Sequence, residues 1–149
     1  MNATYTRASS GSAFGSYHLR FTGSEPWVGG NHPYVYKETF IGYPGWLDAA
    51  AQIRKARSGD GGTVFVRLLR RPVDTPLECR FSPAGDWSIK AESLVTPTTS
   101  WALYDTPDYD AGTTGAIFRV SVVNRLNYAC GADVCRAEAR VDDERVRAR

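Results

Sequence analysis

Thr63-Val-Phe-Val-Arg-Leu-Leu69 is apolar on both of its alternating residue sets, as a strand covered on two sides should be. The same two-residue period runs outward from it in both directions. Downstream, Leu77-Glu-Cys-Arg-Phe81 alternates, turns at Ser82-Pro-Ala-Gly-Asp86 and returns as Trp87-Ser-Ile-Lys-Ala91, which reads as a hairpin. Upstream, Tyr17, Leu19 and Phe21 share one face of a strand, with His18 and Arg20 on the other. Residues 34–41 form another strand, with aromatic or aliphatic residues on both faces. Near the end, Phe118, Val120 and Val122 point inward. Cys135, Ala137, Ala139 and Val141 do so on an expected return strand, leaving Arg119, Arg136, Glu138 and Arg140 on the opposite face.

One segment breaks the pattern. Leu47 to Ser58, LDAAAQIRKARS, is rich in helix formers, lacks Gly and Pro, and is followed by Gly59 as a stop. Leu47, Ala50 and Ile53 supply a narrow apolar stripe. Asp48 in the first turn and Arg54, Lys55 and Arg57 in the last suit a helix dipole. The expected fold is therefore mainly β: an antiparallel sandwich or barrel of about seven or eight strands with one short helix over 47–58. Residues 1–149 are expected to form one domain. Its Ser- and Gly-rich first sixteen residues read as an arm, and residues 142–149 as a charged tail.

Composition narrows the function classes. The net charge of +2 is too small to imply nucleic acid by itself, and no apolar run approaches the roughly 18 residues of a membrane span. The first residues lack the apolar core of an export signal, so the chain is expected in the cytoplasm or inside a particle. Three cysteines do not make a disulfide scaffold, although Cys130 and Cys135 flank a turn and are candidates for one bridge. Cys79 alternates with Leu77 and Phe81 and reads as a core residue.

Seven of the twenty residues of WVGGNHPYVYKETFIGYPGW, Trp27 to Trp46, are aromatic or His: Trp27, His32, Tyr34, Tyr36, Phe40, Tyr43 and Trp46. Trp27, Tyr34, Tyr36, Tyr43 and Trp46 can stack on pyranose rings, with Asn31, Glu38 or Asp48 holding hydroxyls. The same residues can pack on a neighbouring subunit or fill the core. A basic group, Arg54, Lys55, Arg57, Arg67, Arg70 and Arg71, is a candidate surface for nucleic acid or an acidic partner. Asp105, Asp108 and Asp110 precede Gly112 in an acidic loop that could hold Ca²⁺, but the calcium-loop template fails at Ala116.

Catalytic signatures are missing. His18 and His32 are the two histidines, one on a polar strand face and one in a turn. No Gly-x-Ser-x-Gly elbow or phosphate loop is present. The expectation is a non-enzymatic protein without a cofactor or metal. Its expected role is a repeating subunit of an assembly such as a virion shell or tail, with copies of itself or other subunits as partners. The alternative is a soluble carbohydrate-binding module using Trp27, Asn31, Tyr34, Tyr36, Tyr43 and Trp46.

Overall fold

The computed structural model describes residues 3–8, 18–23, 34–57, 63–72, 87–125 and 137–149. They form ten strand segments: β1 (Ala3–Ala8), β2 (His18–Gly23), β3 (Tyr34–Ile41), β4 (Trp46–Lys55), β5 (Thr63–Pro72), β6 (Ser88–Val95), β7 (Ala102–Asp105), β8 (Tyr109–Asp110), β9 (Ala116–Arg125) and β10 (Ala137–Ala148). One sheet runs β1-β2-β10-β4, with β7 and β8 both paired to β4. The other runs β3-β9-β5-β6. Every pairing is antiparallel. The expected β-sandwich is what the chain builds.

Alternation explains how the sheets close. Val64, Val66 and Leu68 of β5 and Phe118, Val120 and Val122 of β9 are buried, and they meet Leu47, Ala49, Ala51 and Ile53 of β4. Ala139 and Val141 of β10 and Val35 of β3 complete the interior. Among the described residues Phe118 is the largest fully buried side chain, and it packs in one cluster with Ala49 of β4.

The helix expected over 47–58 is not formed; Trp46–Lys55 is a central strand. Leu47 and Ile53 lie six residues apart, a spacing that fits a period of two as well as a period of three. Ala49 and Ala51, which a helix would turn away from that stripe, are buried beside them. Hydrogen-bonding partners on both edges and burial on both faces override the helix propensity of the alanines.

One hairpin expectation is also corrected, and the other falls largely on residues outside the described set. The strand beginning at Ser88 pairs with β5, while residues 77–86 lie outside the described set. β9 and β10 do not pair as a hairpin, because β9 sits between β3 and β5 and β10 sits between β2 and β4. Their inward residues meet across the interior, which alternation alone cannot distinguish from pairing side by side. Residues 3–8, within the expected arm, form β1. Residues 142–148, within the expected tail, form the second half of β10.

That second half depends on a bulge. The register of β10 against β4 shifts between Asp142 and Arg145, and Asp143 takes a left-handed φ of 49° there. The Asp143 N–H donates to Asp142 Oδ1 at 2.8 Å. Beyond the bulge Val146 packs on the core and Arg147 stands on the outer face beside Asp48. Asp48 is wholly buried, and Arg147 grips it with two bonds, Nε to Oδ1 at 2.8 Å and Nη2 to Oδ2. Arg147 also reaches Asp105 at 2.8 Å, and Arg149 reaches Asp108 at 3.0 Å. The carboxylate on β4 thus pins the end of β10 to the sheet.

Glu144, within the bulge, has Oε1 buried without a hydrogen-bond partner. Burial pushes its carboxyl up to about 7, against the opposing pull of the Lys37 charge.

Two stability predictions follow from this part of the molecule. Replacing Asp48 by Ala leaves Arg147 without its buried partner and should lower stability by about 3 kcal/mol in urea unfolding. The folded state retains the Glu144 proton to about pH 7, whereas the unfolded chain releases it near the ordinary value of 4.5. Stability should therefore fall as pH rises through that interval, by up to about 3 kcal/mol, and Glu144→Gln should flatten the fall.

Candidate functional site

The outer face of the four-stranded sheet carries an unusual set of side chains. Val35 points inward, so Tyr34, Tyr36, Glu38 and Phe40 of β3 point outward. In register, Arg119 of β9 lies opposite Glu38, and Leu69 of β5 lies opposite Arg119. Arg67 of β5 lies opposite Glu92 of β6.

These positions produce a row of stacked groups across the strands. Tyr34 and Tyr36 stack with ring centroids 6.0 Å apart and planes 26° from parallel. The Arg119 guanidinium lies 3.9 Å from the Tyr36 ring and 4.0 Å from that of Trp87, just before β6. Arg71 follows, 4.9 Å from the Trp87 ring. Arg67 lies over Phe65 at 4.6 Å. Glu38 accepts from Arg119 Nε at 3.1 Å and also from Nη2, and Glu92 accepts from Arg67 Nε. Each guanidinium is thus fixed by a ring, and two are also fixed by a carboxylate.

The surface is amphipathic rather than simply charged. Tyr34, Tyr36 and Phe40 are 43%, 49% and 62% exposed, and Ile89 and Leu94 of β6 are exposed on the same sheet. Rings and ordered hydrogen-bonding groups on one face suit a ligand with an apolar side and many hydroxyls.

The aromatic residues picked out in the sequence are divided by the fold. Tyr34 and Tyr36 belong to this row. Tyr43 lies in the turn between β3 and β4, and Trp46 opens β4 opposite Asp110 in the other sheet. Trp27, Asn31, His32, Cys79, Cys130 and Cys135 lie outside the described residues. His18 falls within β2, opposite Ala8 in register.

The basic group is divided too, because consecutive strands β4 and β5 enter different sheets. Arg54, Lys55 and Arg57 stay with β4 and its exit, where Arg54 lies 5.2 Å from the Trp101 ring. Arg67 and Arg71 join the aromatic face. Arg70 faces the other way and donates to the carbonyls of Ala111 and Thr114, both at 3.3 Å. The acidic loop is engaged internally. Asp105 and Asp108 bind Arg147 and Arg149, and Asp110 Oδ1 accepts the Gly112 N–H at 3.0 Å. Among the described residues no group of three or more His, Cys, Asp or Glu is placed to hold a metal. Among them, too, no helix is long and apolar enough to cross a membrane.

The sequence offers Glu38 as a hydroxyl partner; nothing in it links Arg119, Trp87, Phe65 and Glu92 to the site. Their meeting depends on the β3-β9-β5-β6 order. Outward alternation of Arg119 was the one readable signal.

No family model matches the chain, and no curated protein matches it in sequence. Its fold is that of β-sandwich carbohydrate-binding modules. It is similar to a structure from work on promiscuous specificity in modules of that superfamily. The TM-score is 0.60 with 11% identity, over 98% of this chain and 53% of that one. It is similar to the CBM22-1–GH10 modules of Clostridium thermocellum xylanase 10B, complexed with xylohexaose. There the TM-score is 0.57 with 11% identity, over 99% of this chain and 25% of that one. It is similar to the CBM22-2 xylan-binding domain of Paenibacillus barcinonensis Xyn10C, with a TM-score of 0.56 and 11% identity over 99% of this chain and 88% of that one. The chain thus spans about half the length of the first and a quarter of the second.

These similarities overturn the expected shell or tail subunit: the sandwich is shared with modules that bind sugars, and self-assembly finds no support in them. Aromatic loops suited to packing on neighbouring subunits are among the features behind the assembly reading, and a sugar-binding surface has the same features.

The Arg119 contacts can be measured directly. A double-mutant cycle of Arg119→Ala with Tyr36→Ala should return a coupling of about 1 kcal/mol in unfolding experiments.

Proposed function

We propose that this protein is a carbohydrate-binding module that holds a polysaccharide chain against the outer face of its four-stranded sheet. The observation that carries the reading is the row Tyr34–Tyr36–Arg119–Trp87, which sets exposed rings beside anchored hydrogen-bonding groups on one surface. The C–H faces of sugar rings pack on Tyr34, Tyr36 and Phe40, and their hydroxyls meet Arg67, Glu38 and Glu92. Ion pairing fixes those polar groups before the ligand arrives, which lowers the entropy lost on binding. From Tyr34 to Phe40 the exposed side of β3 extends roughly 20 Å, so several sugar units fit along it.

Two similar proteins support the ligand class. One was obtained with xylohexaose and the other is a xylan-binding domain. Xylan is therefore the first polymer to try, beside cellulose, mixed-linkage glucan and galactan.

Isothermal titration across that panel tests the reading. At least one polymer should bind, and Tyr34→Ala combined with Tyr36→Ala should weaken it tenfold or more, about 1.4 kcal/mol, with the melting temperature little changed. Tyr43→Ala, in a turn residue that is 87% exposed and off the face, should leave affinity within twofold. A double variant that binds as the parent does would place the ligand elsewhere.

A further inference from the structure

Among the described residues the charges around Trp87 do not balance. Arg119 and Arg71 both lie within 5 Å of its ring, and Glu38 is the carboxylate that answers Arg119. Arg71 is 5% exposed, and its buried Nε has no hydrogen-bond partner. Neighbouring arginines are provided for differently. Arg67 pairs with Glu92, and Arg70 binds two main-chain carbonyls. A buried guanidinium nitrogen without a hydrogen-bond partner is costly, and a carboxylate or sulfate would offset much of that cost.

Resting on the carbohydrate reading above, we infer that the preferred ligand is an acidic polysaccharide whose anionic group pairs with Arg71 at the margin of the Trp87 ring. The sugar ring carrying the anion stands beside the Tyr34–Tyr36 row, and its charge meets Arg71 as Glu38 meets Arg119. A neutral polymer keeps the stacking contacts but leaves Arg71 without an anion. The face would therefore discriminate by charge as well as by shape. Pairing in so covered a position is screened less by salt than attraction over open surface.

Two chemistries supply the anion, a uronate carboxylate and a sulfate ester, and matched polymers separate them. Titrations would compare polygalacturonate, glucuronoxylan and alginate, each with its carboxyl-reduced counterpart, and dextran sulfate with dextran. At least one acidic polymer should bind about tenfold more tightly than its neutral partner. That margin should persist in 1 M salt, where the screening length is about 3 Å. Arg71→Gln should reduce the preference to within twofold. Arg71→Lys, which keeps the charge but loses the fork, should recover only part of it.

Preference for a uronate pair assigns the carboxylate, and preference for dextran sulfate assigns the ester. Equal affinity for acidic and neutral polymers overturns the inference and leaves the carbohydrate reading intact. Binding of every polyanion alike, lost in 1 M salt or insensitive to Arg71→Gln, also overturns it, as attraction of a general kind. Failure to bind any polysaccharide overturns both. Should the Arg71 variants not fold, the parent's salt-resistant preference decides between these outcomes.

Discussion

Strand β4 is buried on both faces, and the arrangement of both sheets follows from how those faces are covered. Inward, Leu47, Ala49, Ala51 and Ile53 meet the four-stranded sheet. Outward, Asp48 is a buried carboxylate whose charge would be costly without the Arg147 guanidinium. The arginine arrives there only because the bulge at Asp142–Arg145 shifts the register of β10. One ion pair thereby selects the position of the last strand, while the apolar residues select the facing sheet. Ala49 packs in one cluster with Phe118, whose strand carries Arg119 on its other side. The site inherits its geometry from the core beneath it.

Local pattern made much of this legible. β3, β5 and the inward set Phe118, Val120 and Val122 follow from alternation, but β3 carries aromatic or aliphatic residues on both faces, so alternation does not say that Tyr34 and Tyr36 face outward. β4 misled because alanine favours a helix, and Leu47 and Ile53 satisfy either period. Its true environment depends on residues almost a hundred positions away, with Asp48 gripped by Arg147. Sheet membership was hidden for a related reason. Inward residues of β9 and β10 have the same alternation whether the strands pair or face one another. Arg119, Trp87 and Glu38 could not be joined beforehand, since only the strand order brings them together.

The stacked row has a physical consequence for recognition. A long exposed arginine normally samples many rotamers and loses that freedom when it binds. Here Arg119 lies against Tyr36 and Trp87 and is held by Glu38, so most of that entropy is already lost in the free protein. The rings are correspondingly less free, because the guanidinium occupies part of the Tyr36 and Trp87 surfaces. On the proposed carbohydrate reading, sugar stacking is then concentrated on Tyr34, on the exposed side of Tyr36 and on Phe40, while the Trp87 end is dominated by charge.

This division gives the face a direction. An apolar, ring-lined end along β3 passes into a cationic end where β5 meets Trp87, and a polysaccharide lying across both meets different chemistry along its length. Such polarity favours one orientation of an asymmetric chain, which an even aromatic surface would not do. It also separates two contributions to binding. Stacking along β3 requires only a suitable sugar face, so it tolerates many polymers, whereas the guanidiniums reward particular substituents. On the proposed carbohydrate reading, the breadth of the ligand set belongs to the tyrosines and its selectivity to the arginines.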